Sequence, residues 1–243
     1  MNFSGMISNR NLVGRLLRWF LSFIPKDVKL PILQGKLRGK FWIVGAGNHG
    51  YWLGSYEYAE RKLFEKTIRQ GWVVYDIGAN AGFYTLLSSF LVGKKGRVYA
   101  FEPLSANINY LEKHLVLNKV KNVFIVNKAV WNSDGLLNFA KESDERTTGQ
   151  ISPEGRFKVE AISLDHFAIG KGCPNCLKID VDGTEVEVLN GAKKLFRDCH
   201  PVIFLSVHSD ELKRKSLDFL STFGYRVEKY IEEYDTQAVF LLS

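Results

Sequence analysis

The chain has 243 residues, 46% of them hydrophobic, and a net charge of +7. That length suits one large domain with a sizeable core, and the composition excludes a disordered or fibrous chain. The positive excess admits an anionic partner without selecting nucleic acid, a membrane surface or a phosphorylated substrate. The basic residues are scattered in short pairs such as Lys94-Lys95, so no nucleic-acid stripe is visible.

Taken in order, Asn11 to Pro25 repeats Leu12, Leu16, Trp19 and Phe23 at helical spacing. The run is too short, and too interrupted by Arg15 and Arg18, to span a bilayer. It also lacks a small-residue cleavage site, so the expected location is cytoplasmic. An amphipathic helix of this kind packs on its own domain more often than on a membrane surface, and the second is the alternative here. Residues 1–34 are therefore read as a helical extension and 35–243 as the main domain. Gly35 to Glu57 is rich in glycine and aromatics.

Strand-like and helix-like segments then alternate, which implies a parallel sheet. Trp72–Ile77, Arg97–Glu102, Val123–Asn127, Leu177–Val181 and Pro201–Val207 read as strands. Short strands are expected at Leu136–Ala140 and Lys158–Leu164, around a polar stretch, Lys141–Arg156, read as a lid or a disordered loop. Helices are expected over Phe83–Val92 and Ser105–Asn118, over one segment carrying Val186, Leu189, Leu195 and Phe196, and over Asp210–Phe223. Thr184 with Glu187 has the spacing of a capping box, and Ser209 suits an N-cap. The last two runs, Tyr225–Ile231 and Gln237–Leu242, are separated by too few residues for a crossover and must be antiparallel neighbours. The fold class is thus α/β, doubly wound, with a mostly parallel seven-stranded sheet ending in an antiparallel hairpin.

Three cysteines do not make a disulfide framework. Cys173 and Cys176 form a lone C-x-x-C, read as a surface turn into a strand ahead of a redox pair or half a zinc site, for which Cys199 and His200 are the remaining ligands.

The chemistry concentrates at two places. V-V-Y-D-I-G-A-N-A-G-F-Y, Val73 to Tyr84, ends a strand on Asp76 and turns through Gly78 and Gly82, where a backbone without Cβ can approach a ligand. Glu102 closes the next strand 20 residues after Gly82, the spacing of an acid that accepts ribose hydroxyls. The glycines lack the dinucleotide spacing, which disfavours a nicotinamide-dependent oxidoreductase. At the second place, Asp180, Asp182 and Glu185 crowd one strand end and His208 ends the neighbouring strand. Four ionisable groups there suit removal of a proton from a weak nucleophile, or oxygen ligation of a divalent cation.

The order of D-I-G-A-N-A-G-F-Y, F-E-P, N-K-A-V, S-L-D-H-F and K-I-D-V-D-G-T-E resembles the FkbM-type class I S-adenosylmethionine-dependent methyltransferases, from about Gly35 to the C-terminus. The resemblance implies methyl transfer from S-adenosylmethionine to a hydroxyl oxygen of a saccharide or glycosylated metabolite. It implies that Gly78, Ala79, Asn80, Gly82 and Phe83 hold the methionine end of the cofactor beside Asp76 and Asp180. Glu102 and Pro103 would take the ribose, Asn127 and Ala129 the adenine. The segment around Tyr51, Tyr56 and Glu57 would close over the methionine end at the acceptor entrance. Asp180 and His208 are the candidates for acceptor deprotonation, with Glu185 orienting and Asp182 beside them. Two departures stand out: the family pattern has Glu where this chain has Asp182, and often His where it has Thr184. A small-molecule or glycan acceptor is expected and no specific nucleic acid. The alternatives are an RNA methyltransferase and a cofactor-binding module without turnover. His114 and His166 read as surface or packing residues, and His49 as structural.

Overall fold

The computed structural model describes residues 19, 21, 23–139, 155, 157–234 and 237–243. Most of the segment Asn11–Pro25 expected to be helical and nearly all of the polar stretch Lys141–Arg156 lie outside these residues. The strands in chain order are β1 (Lys29–Pro31), β2 (Phe41–Ile43), β3 (Val73–Ile77), β4 (Arg97–Phe101), β5 (Val123–Val126), β6 (Ala129–Val130), β7 (Gly135–Phe139), β8 (Phe157–Ile162), β9 (Cys176–Ile179), β10 (Val202–Val207), β11 (Val227–Tyr234) and β12 (Gln237–Leu242).

Seven of them form one sheet in the order β11-β12-β10-β9-β3-β4-β5. β10, β9, β3, β4 and β5 are mutually parallel. β12 runs antiparallel to both β10 and β11, as the short closing connection demands. Central parallel strands are buried on both faces, and V-V-Y-D-I and C-L-K-I are accordingly almost continuous in burial. The pleat divides their side chains between two cores. Tyr75, Ile77, Leu177 and Ile179 join one core. Val74, Cys176 and Phe204 join the other, with the helix Phe83–Val92 and Trp42.

The chain enters the sheet at β3, winds outward through β4 and β5, then returns to place β9 and β10 on the other side. The carboxyl ends of β3, β4, β9 and β10 therefore surround a topological switch point, where open α/β sheets bind ligands. β6, β7 and β8 form a separate three-stranded sheet, and β1 and β2 a two-stranded one. The β1–β2 pair carries the segment before residue 35 onto the domain, with Ile32 and Leu37 buried in the second core.

Several local expectations are corrected. The helix expected to carry Val186 through Phe196 is two helices, Glu185–Asn190 and Lys193–Cys199. The break falls at Gly191, where a Cβ would stand 2.1 Å from the carbonyl of Trp131. The Thr184–Glu187 capping box does not form: Thr184 has φ −116° and ψ 19°, and its hydroxyl caps no amide. Ser209 does cap its helix, accepting from the amide of Leu212. Cys173 is bonded to Cys199, not Cys176, which is a free buried residue of β9. Residues 26 apart in sequence meet here because the loop before β9 and the helix Lys193–Cys199 before β10 lead into the amino ends of two adjacent parallel strands.

Candidate active site

Asp76 is the fourth residue of β3, buried between Ala100 of β4 and Lys178 of β9. Its carboxylate accepts a 2.5 Å hydrogen bond from the Thr85 hydroxyl. Burial lifts its pKa to about 6 against that bond and the nearby Lys178. The turn after β3 passes over the end of β4: the amides of Gly78 and Ala79 both donate to the Phe101 carbonyl. Asn80 is left-handed at φ +49°.

The glycines of this turn line the clefts described below and are also demanded by the protein itself. At Gly78, φ is +81° and a Cβ would lie 2.0 Å from the Asp180 carbonyl; at Gly82, 2.3 Å from Leu111. Gly78 thus lets the β3 turn and the β9 turn touch.

Glu102 follows β4 and is buried. Its two carboxylate oxygens accept from the amides of Asn80, at 2.8 Å, and Leu104, at 2.9 Å. The Asn107 side chain is a third partner, and the four lone-pair sites of the carboxylate are thus not all taken. Burial raises this carboxyl to about 7, with the backbone amides and Asn107 acting in the opposite sense. Glu102, Pro103, Ala129, Gly78 and Asn80 line a small cavity of about 90 Å³. A second cleft of about 330 Å³ shares Gly78, Asn80, Asp180 and Asp182 with it and continues to Tyr51, Glu57 and His208. Together they make one trough across the strand ends. Ala79, Gly82, Phe83 and Asp76 lie on the walls of the larger cleft. Asn127 is exposed and lines an adjoining depression with Ser105 and Phe157, which shares Pro103, Leu104 and Phe139 with the small cavity.

The acceptor end is built on charge. Lys178 of β9 is fully buried, and its ammonium has three partners: Glu60 Oε1 at 3.1 Å, Asp180 Oδ2 at 3.1 Å and the Ser206 hydroxyl at 2.9 Å. Its ring neighbour is Tyr84, 4.9 Å away. Burial alone would strip its proton, but Asp180 and Glu60 outweigh that and hold it charged. For Asp180, burial is likewise overcome by Lys178 and His208, and its carboxyl is held well below the usual range. His208 Nε2 stands 3.4 Å from Asp180 and 3.7 Å from Asp182, with about a quarter of its side chain exposed. Asp180 beside it raises its pKa above the ordinary histidine value despite partial burial. Asp182 is raised by burial.

Glu185 does not line the trough. It is fully buried, Oε1 accepts from the Gly183 amide at 3.3 Å, and burial lifts it to about 7. Glu57, left-handed at φ +40°, is buried on the trough wall with Oε2 unpartnered. Burial, then Glu60 and Asp180, raise its pKa strongly. Tyr51 stacks on Tyr56 and on Trp42, and Phe83 meets all three edge-on.

Sequence reasoning missed Lys178 and Glu60. Lys178 stood inside the quoted K-I-D-V-D-G-T-E, and a lysine within an apolar strand flanked by an acid was the available signal. Glu60 gave none, since only the fold brings it to β9. Among the histidines, His114 is buried under Trp42, accepting from the Ile43 amide and facing the Ala81 carbonyl. Burial lowers its pKa to about 4. His49 Nδ1 accepts from the Trp52 indole, and His166 pairs with Asp134 on the surface. Among the described residues, no three of His, Cys, Asp and Glu converge as a metal site. The divalent cation weighed from the carboxylate cluster finds no support, because Lys178 and His208 neutralise those carboxylates instead.

The model of the methyltransferase FkbM domain matches residues 76–235. The hexuronic acid methyltransferase AglP of Haloferax volcanii is 27% identical over 140 residues, 56% of each chain. The chain thus spans about half the length of that curated relative. A solved methyltransferase FkbM from Methylobacillus flagellatus superposes with a TM-score of 0.53 at 18% identity, over 70% of this chain and 43% of the other. A ribosomal protein L11 methylase from Lactobacillus delbrueckii gives 0.52 at 13% identity, over 81% and 79%. These two establish the fold alone. A trough at the switch point, an acid on the second strand and a match over most of the domain lead to one assignment: the chain belongs to the FkbM family of S-adenosylmethionine-dependent methyltransferases.

Proposed function

We propose that this chain methylates a hydroxyl oxygen of a saccharide or glycosylated metabolite, with His208, backed by Asp180, as the proton acceptor. The observation that carries this reading is the His208–Asp180–Lys178 chain at the wall of the trough. The saccharide part is supported by the hexuronic acid acceptor in the name of the 27% identical relative.

The trough fits the cofactor by its unfilled bonding capacity. Glu102 is fixed by two backbone amides and the Asn107 side chain and keeps acceptor capacity for the ribose hydroxyls. Glu57 offers a buried, unpartnered oxygen to an ammonium group. When bound, S-adenosylmethionine supplies an electrophilic methyl carbon on its sulfonium.

A hydroxyl becomes an adequate nucleophile as its proton leaves, so the site must hold a base that is unprotonated at working pH. Asp180 cannot serve well, because Lys178 stabilises its ionised form and weakens it as a base. His208 can. Its proton affinity is increased by the same Asp180, which then stabilises the imidazolium formed. Lys178 keeps Asp180 ionised throughout, and Glu60 balances Lys178. Tyr56 ends the stack Trp42–Tyr51–Tyr56 and lines the larger cleft, where an aromatic ring suits the C–H face of a sugar.

The test is calorimetric binding of S-adenosylmethionine and NADH, followed by labelled methyl transfer to a panel of saccharides. His208→Ala should keep cofactor affinity and lose about 10²–10⁴ in turnover. Full turnover in that variant would remove His208 from the mechanism, and NADH binding would overturn the cofactor.

A further inference from the structure

The basic residues are scattered along the chain, but its net positive charge is not. Residues 1–41 hold eight lysines and arginines against the single acid Asp27, a balance of +7, which equals that of the whole chain. The remaining 202 residues carry 25 basic and 25 acidic side chains and sum to zero. Charge confined to one terminal segment marks that segment, not the catalytic domain, as the part that meets an anion.

The described part of this segment is also apolar on its outer side. Trp19 is 56% exposed and Phe23 65%, one helical turn apart and edge-to-face at 4.7 Å. Leu21 and Ile24, by contrast, pack against the second core. Leu21 and Ile24 thus face the protein's own core while Trp19 and Phe23 face outward, which corrects the expectation that Trp19 and Phe23 face the core. Phe41 is 42% exposed, and Lys26, Lys29, Lys36 and Arg38 are exposed around the same β1–β2 hairpin. Exposed apolar residues elsewhere, such as Ile169, lie in the part of the chain with no charge excess.

We propose that this N-terminal face docks the protein on a bilayer surface that carries anionic lipid. Aromatic residues beside lysines and arginines are the composition of an interfacial helix, with rings at the acyl boundary and cations among the headgroups. Leu12 and Leu16 share the Trp19 and Phe23 spacing in sequence, and aliphatic side chains suit acyl chains better than stacked bases. No helix among the described residues is long and apolar enough to cross a membrane, so attachment by this face is peripheral.

The face adjoins the trough. The Lys26 carbonyl accepts from the Gly45 amide at 2.7 Å and the Val28 carbonyl from Val44 at 2.9 Å. Trp42 and Gly47, on the same short segment, line the larger cleft. Docking thus fixes the acceptor entrance close to the membrane plane.

The test is co-sedimentation of the full chain with vesicles of phosphatidylcholine alone and of phosphatidylcholine containing phosphatidylglycerol. Binding is expected to the second and to weaken with salt. Lys26→Glu with Lys29→Glu should reduce it about thirtyfold, at roughly 1 kcal/mol for each lysine. Trp19→Ala with Phe23→Ala should reduce it at least about tenfold with an unchanged thermal unfolding curve, since both side chains are exposed. Equal binding to both vesicles, no binding, or no effect of the aromatic pair would overturn the proposal. So would a basic segment that holds single-stranded RNA but not vesicles, or a dimer by light scattering that the aromatic substitutions disperse. None of these readouts depends on the methyl acceptor, so the docking proposal and the functional one fail separately.

Discussion

The two ends of the trough are built from different materials. At the Glu102 end, backbone does the positioning: two amides grip the carboxylate and two more tie the turn to the Phe101 carbonyl. At the His208 end, side-chain charges position one another, from Glu60 through Lys178 and Asp180 to His208. Backbone geometry survives most side-chain changes, whereas a buried charge network fails when one member is removed. The first end suits a ligand common to a whole family, and the second a chemistry that can vary with the acceptor.

The sharpest way to break this contrast is Lys178→Met. It leaves Glu60 and Asp180 buried without their cation and should cost about 3–5 kcal/mol of stability, seen in denaturant unfolding. A loss below about 1 kcal/mol would mean that the network relaxes into solvent. Next in size, Glu102→Ala should weaken S-adenosylmethionine binding by about a hundredfold, for two charge-assisted hydrogen bonds at ~1.5 kcal/mol each, with unfolding little changed. Equal effects on folding would show that Glu102 is structural.

The pH dependence of turnover separates the ends further. If His208 must be neutral, kcat/KM rises with pH through a value above the ordinary ~6.5. His208→Gln should flatten that limb; an unchanged limb would assign it to another group. The same raised pKa makes a stability contribution that is complete below about pH 6.5 and lost as pH rises through the folded value. Smallest of all, Asn127→Ala should change cofactor affinity by no more than about twofold, because Asn127 is exposed and lines only the adjoining depression. A larger loss would place the adenine outside the cavity beside Glu102.

The sequence by itself determined the sheet. Apolar runs of four to six residues punctuated by glycine fixed β3, β4, β9 and β10, and the short closing connection fixed the hairpin. The Asp76 turn and Glu102 were legible because a strand end, a turn and a distant acid form a one-dimensional pattern. So was the convergence of Asp180, Asp182 and His208, since adjacent parallel strands end together.

Tertiary structure decided what chain spacing cannot carry. Glu60 meets Lys178 across 118 residues, Cys173 selects Cys199 over nearby Cys176, and the Asp180 carbonyl leaves no room for a Cβ at Gly78. It also decided which carboxylates act. Asp180, Asp182 and Glu185 are equivalent as letters, but Lys178 ionises one, Asp182 stays half exposed at the mouth, and burial seals Glu185 away from the trough. A pKa depends on desolvation and on charges within a few ångströms, and both are set only when distant segments pack.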